Sequence, residues 1–237
     1  MASFVHHFTR VQLFRDRRDA GRQLAQRFDR FAARDDVVVL ALPRGGVPVG
    51  YEIATRIAAP LDVLIVRKLG VPGQEEVAMG AIASGGIRVV DDRTVRMMGL
   101  SDAELEHVIE AEELELLRRE RVYRREATRS VAGKIAILVD DGLATGSTML
   151  AAIDAVRTRA PTQVIVAVPV APPEVCRTIG RRADSMVCLV TPDRMYAVGI
   201  WYEDFTQTTD DEVRSLLDAA ERERTARAQA EHYRGAR

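Results

Sequence analysis

Short apolar runs alternate with amphipathic stretches along most of this chain. Val37–Leu42 (VVVLAL), Leu61–Val66 (LDVLIV), Ile135–Val139 (IAILV), Val164–Val170 and Met186–Val190 read as strands buried on both faces. Between them, Val49–Ile57 and Met149–Arg159 have helical composition, and the Arg-rich first 34 residues space Leu13, Ala20, Leu24, Phe28 and Phe31 as a helix does. Ala78–Ala83 and Ile87–Val90 form a hairpin pattern around Gly85-Gly86. Ser101 with Glu104 three residues on is a capping box opening a long charged helix to about Arg129. Asp210–Glu212 opens a last amphipathic helix, and Glu221–Arg237 reads as a charged tail of doubtful order. The pattern predicts an α/β fold: a mostly parallel twisted sheet flanked by helices, with a small hood lobe. It divides into an N-terminal helical segment (1–35), a core (36–190), a hood with the last helix (191–220) and the tail (221–237).

Composition narrows the classes of partner. The 34 Lys and Arg nearly balance 35 Asp and Glu, so no global charge draws the chain to nucleic acid. Aromatics at 5% disfavour a base-stacking platform for single strands. Cys176 and Cys188 have neither zinc spacing nor a disulfide framework, and read as buried fillers. No run approaches membrane-spanning length and the N-terminus lacks an apolar leader, so the expected setting is the cytoplasm. No role falls to the four histidines.

Chemistry concentrates in Ile135–Thr148 (IAILVDDGLATGST). A buried strand ends on Asp140 and Asp141, and Gly142, Leu143, Ala144, Thr145, Gly146, Ser147 and Thr148 lead into a helix. Unpaired amides and a positive dipole suit that helix start to a phosphate. The two acids would repel the phosphate, and as pure acceptors they suit a vicinal diol, directly or through Mg²⁺ and its waters. A phosphate beside a diol describes a ribose 5-phosphate. A Walker A loop is excluded, because no Lys follows Gly146. Arg44 with Gly45 and Gly46, Arg67-Lys68, and the acid pair each follow a predicted strand, so three strands aim at one sheet edge.

The stretch Val139–Thr148 resembles the signature of the type I phosphoribosyltransferases, which use 5-phosphoribosyl 1-pyrophosphate (PRPP); the resemblance extends over roughly Val37–Phe205. It implies transfer of the phosphoribosyl group to a nitrogenous base with release of pyrophosphate, Mg²⁺ as cofactor, and a homodimer. By the same resemblance Asp140 and Asp141 serve the ribose hydroxyls and the metal, and Arg44 and Lys68 balance the leaving group's charge. The Pro43–Gly46 loop holds pyrophosphate, with Arg44–Gly45 as the expected cis peptide, and Arg67 assists. Gly70–Val77 corresponds to a flexible lid. Tyr196, two residues before Val198-Gly199, is the stacking candidate, and Glu203 or Asp204 the acid on the metal's side, with Asp204 preferred. Trp201 and Phe205 read instead as the core of the small lobe. Two departures, Ala144 in the loop and Ala171-Pro172-Pro173 after the next strand, place a 6-oxopurine acceptor in doubt; the Leu-Ala-Thr-Gly loop is closer to adenine and orotate members. Two rivals remain open: a regulator that senses the sugar phosphate, with Arg118–Arg125 as a local RNA patch, and a hydrolase in which water replaces the base.

Overall fold

The computed structural model describes residues 14–123 and 129–235. Five parallel strands form the central sheet: β1 (Val37–Ala41), β2 (Leu61–Val63), β6 (Ile135–Val139), β7 (Gln163–Val170) and β8 (Ser185–Val190), in the order β2-β1-β6-β7-β8. β1 and β6 are buried at every position. Alternation divides each run between two cores. Val37, Val39, Ala41, Ile137 and Val139 face one, with Leu24, Phe28 and Ile53. Val38, Leu40, Ala136 and Leu138 face the other, with Met149, Ile153 and Val156. Helices on both faces make continuous apolar strands stable here.

Helix α1 (Arg17–Ala25) begins at Asp16, whose carboxylate accepts the Asp19 amide at 2.7 Å. A 3₁₀ turn (Gln26–Phe31) continues it, so the predicted N-terminal helix divides in two; Leu13 lies outside the described residues. Helix α2 (Gly46–Ile57) follows β1, and α5 (Ser147–Arg157) follows β6. Between β7 and β8 stands α6 (Pro173–Gly180), unmarked in the hydrophobic pattern but started by Pro at its first turn. The last helix, α7, spans Asp210–Gly235 and corrects the expected charged tail. Val213, Leu216 and Ala220 form the buried stripe that docks it.

A second, antiparallel sheet holds β3 (Val66–Val71), β4 (Gln74–Ala83) and β5 (Ile87–Val90). The predicted strand Leu61–Val66 therefore splits, and its second half turns away into another sheet. Leu64 still bonds the Ala41 carbonyl at 3.0 Å, whereas the Ile65 carbonyl accepts the Ser84 amide at 2.9 Å. Arg67 and Lys68 lie inside β3 rather than beyond a strand end, and the expected lid is the β3–β4 hairpin, turning at Pro72-Gly73. The Gly85-Gly86 hairpin forms as predicted. A short helix, α3 (Asp92–Met97), leads to α4 (Asp102–Tyr123), opened by the Ser101–Glu104 box; positions 124–128 of the expected helix lie outside the described residues. α4 is not simply a solvated charged face, since Glu112 and Glu113 pair with Arg67 and Arg88 on the small sheet. Arg118 and Arg119 both pair with Glu115, which offsets one of their two charges.

Candidate active site

The strand ends of β1 and β6 meet backbone to backbone. The Leu42 amide donates to the Val139 carbonyl at 2.9 Å, and the chain then turns through a cis peptide at Pro43–Arg44. The cis bond thus precedes Arg44, one residue before the expected Arg44–Gly45 link. α2 starts at Gly46 against the acid pair. A methyl group on Gly46 would stand 2.5 Å from the Val139 carbonyl oxygen, and one on Gly45 would stand 2.0 Å from Asp141 Oδ2. Only glycine permits this approach.

Asp140 and Asp141 leave β6 directly into that contact. Asp140 Oδ1 accepts the Asp141 amide at 2.9 Å. Burial pushes the Asp140 carboxyl well above the ordinary carboxylate range, and the neighbouring Asp141 adds to the rise. Asp141 is also raised by burial, while Arg17 draws it back down. Arg17 Nε lies 2.7 Å from Asp141 Oδ2, and both side chains are nearly enclosed. Nothing near Arg17 in the sequence marked it; its partner stands 124 positions away. Tyr202, unmarked in the sequence as a site residue, donates its hydroxyl to the Asp141 carbonyl.

Past the acids, the Leu143 amide bonds the Val170 carbonyl at 2.9 Å, and Gly142 and Leu143 are buried. Ala144, Thr145, Ser147 and Thr148 are exposed at the mouth of α5. Gly146 carries the turn in the left-handed region, at φ 76°, and no side chain caps the helix. The Ser147 amide has only a long bond, to Thr145 Oγ1 at 3.5 Å, and the Thr145 and Ser147 hydroxyls, 3.2 Å apart, are exposed at the helix start. A helix start of this kind suits an anion, and two carboxylate acceptors stand next to it.

Arg44 is half-exposed and reaches 3.6 Å from Asp210 at the start of α7, lining a polar cleft of ≈ 390 Å³ with Thr208, Thr209 and Arg214. Arg67 is not delivered to the acids, because Glu112 on α4 holds its Nε at 2.5 Å. Lys68 follows along β3, opposite Ala81. Tyr196, expected to stack on a base, is 84% exposed. Trp201 is buried with Phe14, Ala20, Val170 and Tyr202, with Phe205 against them, as the reading of a small-lobe core required. Phe14 and Arg15 complete that lobe: the Phe14 amide donates to the Trp201 carbonyl, and the Phe14 and Arg15 carbonyls accept the Glu203 and Asp204 amides. The Asp204 carboxylate turns to Thr206, whose amide and hydroxyl hold it below the usual range. Among the described residues no three His, Cys, Asp or Glu side chains converge as a metal cage, so Asp204 does not complete one with the acid pair. Cys176 and Cys188 are half-buried free thiols rather than fully buried fillers. No described helix is long and apolar enough to cross a membrane.

A parallel sheet whose strand ends carry a glycine loop and an acid pair before an open helix start defines a type I phosphoribosyltransferase fold. The profile of the phosphoribosyl transferase domain family matches residues 13–179, and the chain belongs to that family. Two Mycobacterium tuberculosis proteins (strains CDC 1551 and H37Rv), named provisionally as phosphoribosyl transferases, are 49% identical over 214 residues, 90% of this chain. The chain spans about half the length of these relatives, 48%. The crystal structure of TT1426 from Thermus thermophilus superposes with a TM-score of 0.78 at 41% identity, covering 86% of this chain and 97% of that one.

Proposed function

We propose that this protein transfers the 5-phosphoribosyl group of PRPP to a nitrogenous base and releases pyrophosphate. The observation carrying this reading is the pairing of the open, hydroxyl-lined start of α5 with the enclosed acids Asp140 and Asp141. A 5-phosphate on the α5 amides brings the ribose hydroxyls over the acids. The Pro43–Gly46 loop, packed against the acid pair through Gly45 and Gly46, is the seat this reading gives the pyrophosphate, where Arg44 can fork two of its oxygens. Chemistry of this kind asks for positioning and charge rather than covalent work. The acids favour positive charge developing on the sugar, and Arg44 favours negative charge on the departing group.

Two adjacent carboxylates fit Mg²⁺, which is commonly held by one or two carboxylates together with substrate phosphates. Asp140 and Asp141 would hold it, and the ion would supply neutralisation of the pyrophosphate's charge.

The test is a panel of bases incubated with PRPP and Mg²⁺ and followed for pyrophosphate, alongside thermal unfolding. PRPP at about 100 times its dissociation constant stabilises the native state by roughly 2.7 kcal/mol. Replacing both acids by Asn preserves the fold and abolishes turnover. Pyrophosphate release without any base would favour hydrolysis, and binding without turnover on any base would favour a sensor. No stabilisation by PRPP with Mg²⁺ overturns the donor site itself.

A further inference from the structure

We infer that Arg17 is a positioning residue for the acid pair: it fixes the Asp141 carboxylate against the Gly45 loop and leaves Asp140 as the acid that meets the donor's hydroxyls. The inference rests on the phosphoribosyl reading above and assigns unequal work to two adjacent acids.

Arg17 is the first residue of α1, and a cation there opposes the helix dipole, so local helix preference does not explain it. Its tertiary contacts do. Nε reaches Asp141 Oδ2 at 2.7 Å, Nη1 donates to the Thr206 carbonyl at 2.7 Å, and the guanidinium lies 3.8 Å from the Phe205 ring centre. One planar group thereby ties α1 and the hood segment to the strand end of β6. The side chains of Arg17 and Asp141 are 11% and 14% exposed, so neither swings freely into solvent. On its other side, the Asp141 carboxylate abuts Gly45, where a β-carbon would come within 2.6 Å of Cγ. The carboxylate is wedged between a cation and the loop assigned to pyrophosphate.

Asp140 is placed differently. Its Oδ1 takes the Asp141 amide, and among the described residues no cation lies within ion-pair distance of it. Asp141 has one oxygen, Oδ2, committed to Arg17 and so a fixed orientation for the other; Asp140 keeps more of its acceptor capacity for a ligand. Arg17 acts on the donor only through Asp141.

The test is calorimetric titration of PRPP at saturating Mg²⁺ into wild type, Arg17→Met, Arg17→Lys, Asp141→Asn and the Arg17→Met/Asp141→Asn double variant, each shown folded by circular dichroism. Partners that orient a ligating group typically contribute about 10–100-fold, so Arg17→Met weakens PRPP by at least about tenfold. The double variant binds within about threefold of the weaker single, because both changes break one ion pair. Arg17→Lys retains charge without the planar fork or ring stacking and falls between wild type and Arg17→Met, at least about threefold weaker than wild type; it supplies the comparison if the Met variant does not fold. PRPP affinity within twofold of wild type in Arg17→Met or Arg17→Lys, or losses that multiply in the double variant, overturns the positioning role alone. Failure of wild type to bind PRPP overturns the donor site and this role together.

Discussion

Gly45→Ala tests the contact between the two strand-end loops, and its outcome is decided by one side chain. Gly45 has φ −60° and ψ −33°, ordinary right-handed helical values, so alanine suffers no backbone strain. On backbone grounds the change should stabilise, by about 0.4–1 kcal/mol, through lost freedom of the unfolded chain. The new methyl would stand 2.0 Å from Asp141 Oδ2 and 2.6 Å from Cγ, so the carboxylate must move. Moving it separates Asp141 from the enclosed Arg17, and breaking a buried pair costs about 3–5 kcal/mol. The net expectation is a loss of about 2–4.5 kcal/mol. At about 2–4 °C per kcal/mol for a domain of this size, the melting temperature falls by about 4–18 °C. Thermal and urea unfolding of Gly45→Ala, Asp141→Ala and the double variant make the assay. With the carboxylate already gone, Gly45→Ala should be neutral or stabilising by up to about 1 kcal/mol. Stability of Gly45→Ala within about 0.5 kcal/mol of wild type, or an equal loss in both backgrounds, refutes the steric argument.

Asp140→Asn should raise stability at neutral pH while weakening PRPP binding, because it removes a carboxylate that burial and Asp141 disfavour as an anion. The native carboxyl titrates above its unfolded value of about 3.9, so the folded state binds more protons in that window and stability falls as pH rises through it. Urea unfolding at pH 5 and pH 8 should show a smaller decline in Asp140→Asn than in wild type; equal declines would count against the assignment. Tyr202→Phe removes the donor to the Asp141 carbonyl and should cost about 1–3 kcal/mol, measured by urea unfolding, with a negligible change speaking against that bond.

The central sheet was legible because its strands are apolar on both faces, a demand that appears as unbroken runs such as VVVLAL and IAILV. The turn of Leu61–Val71 into a second sheet was not. Leu64 and Ile65 are buried on either side of the switch, so apolarity alone carries no mark of it. The continuation of α7 past Glu221 was hidden likewise, since its charged, half-buried or exposed residues differ little in pattern from a tail.

Local order along the chain determined the acid pair, the glycine-hydroxyl turn and the helix that follows, since each depends on neighbours a few positions away. Tertiary packing alone decided that Arg67 turns to Glu112, that Tyr196 stands in solvent, and that Arg17 arrives beside Asp141. Ion pairs and close approaches between distant segments depend on where whole elements dock, and docking is set by the summed burial of many side chains. The spelling of one loop contains no record of that sum.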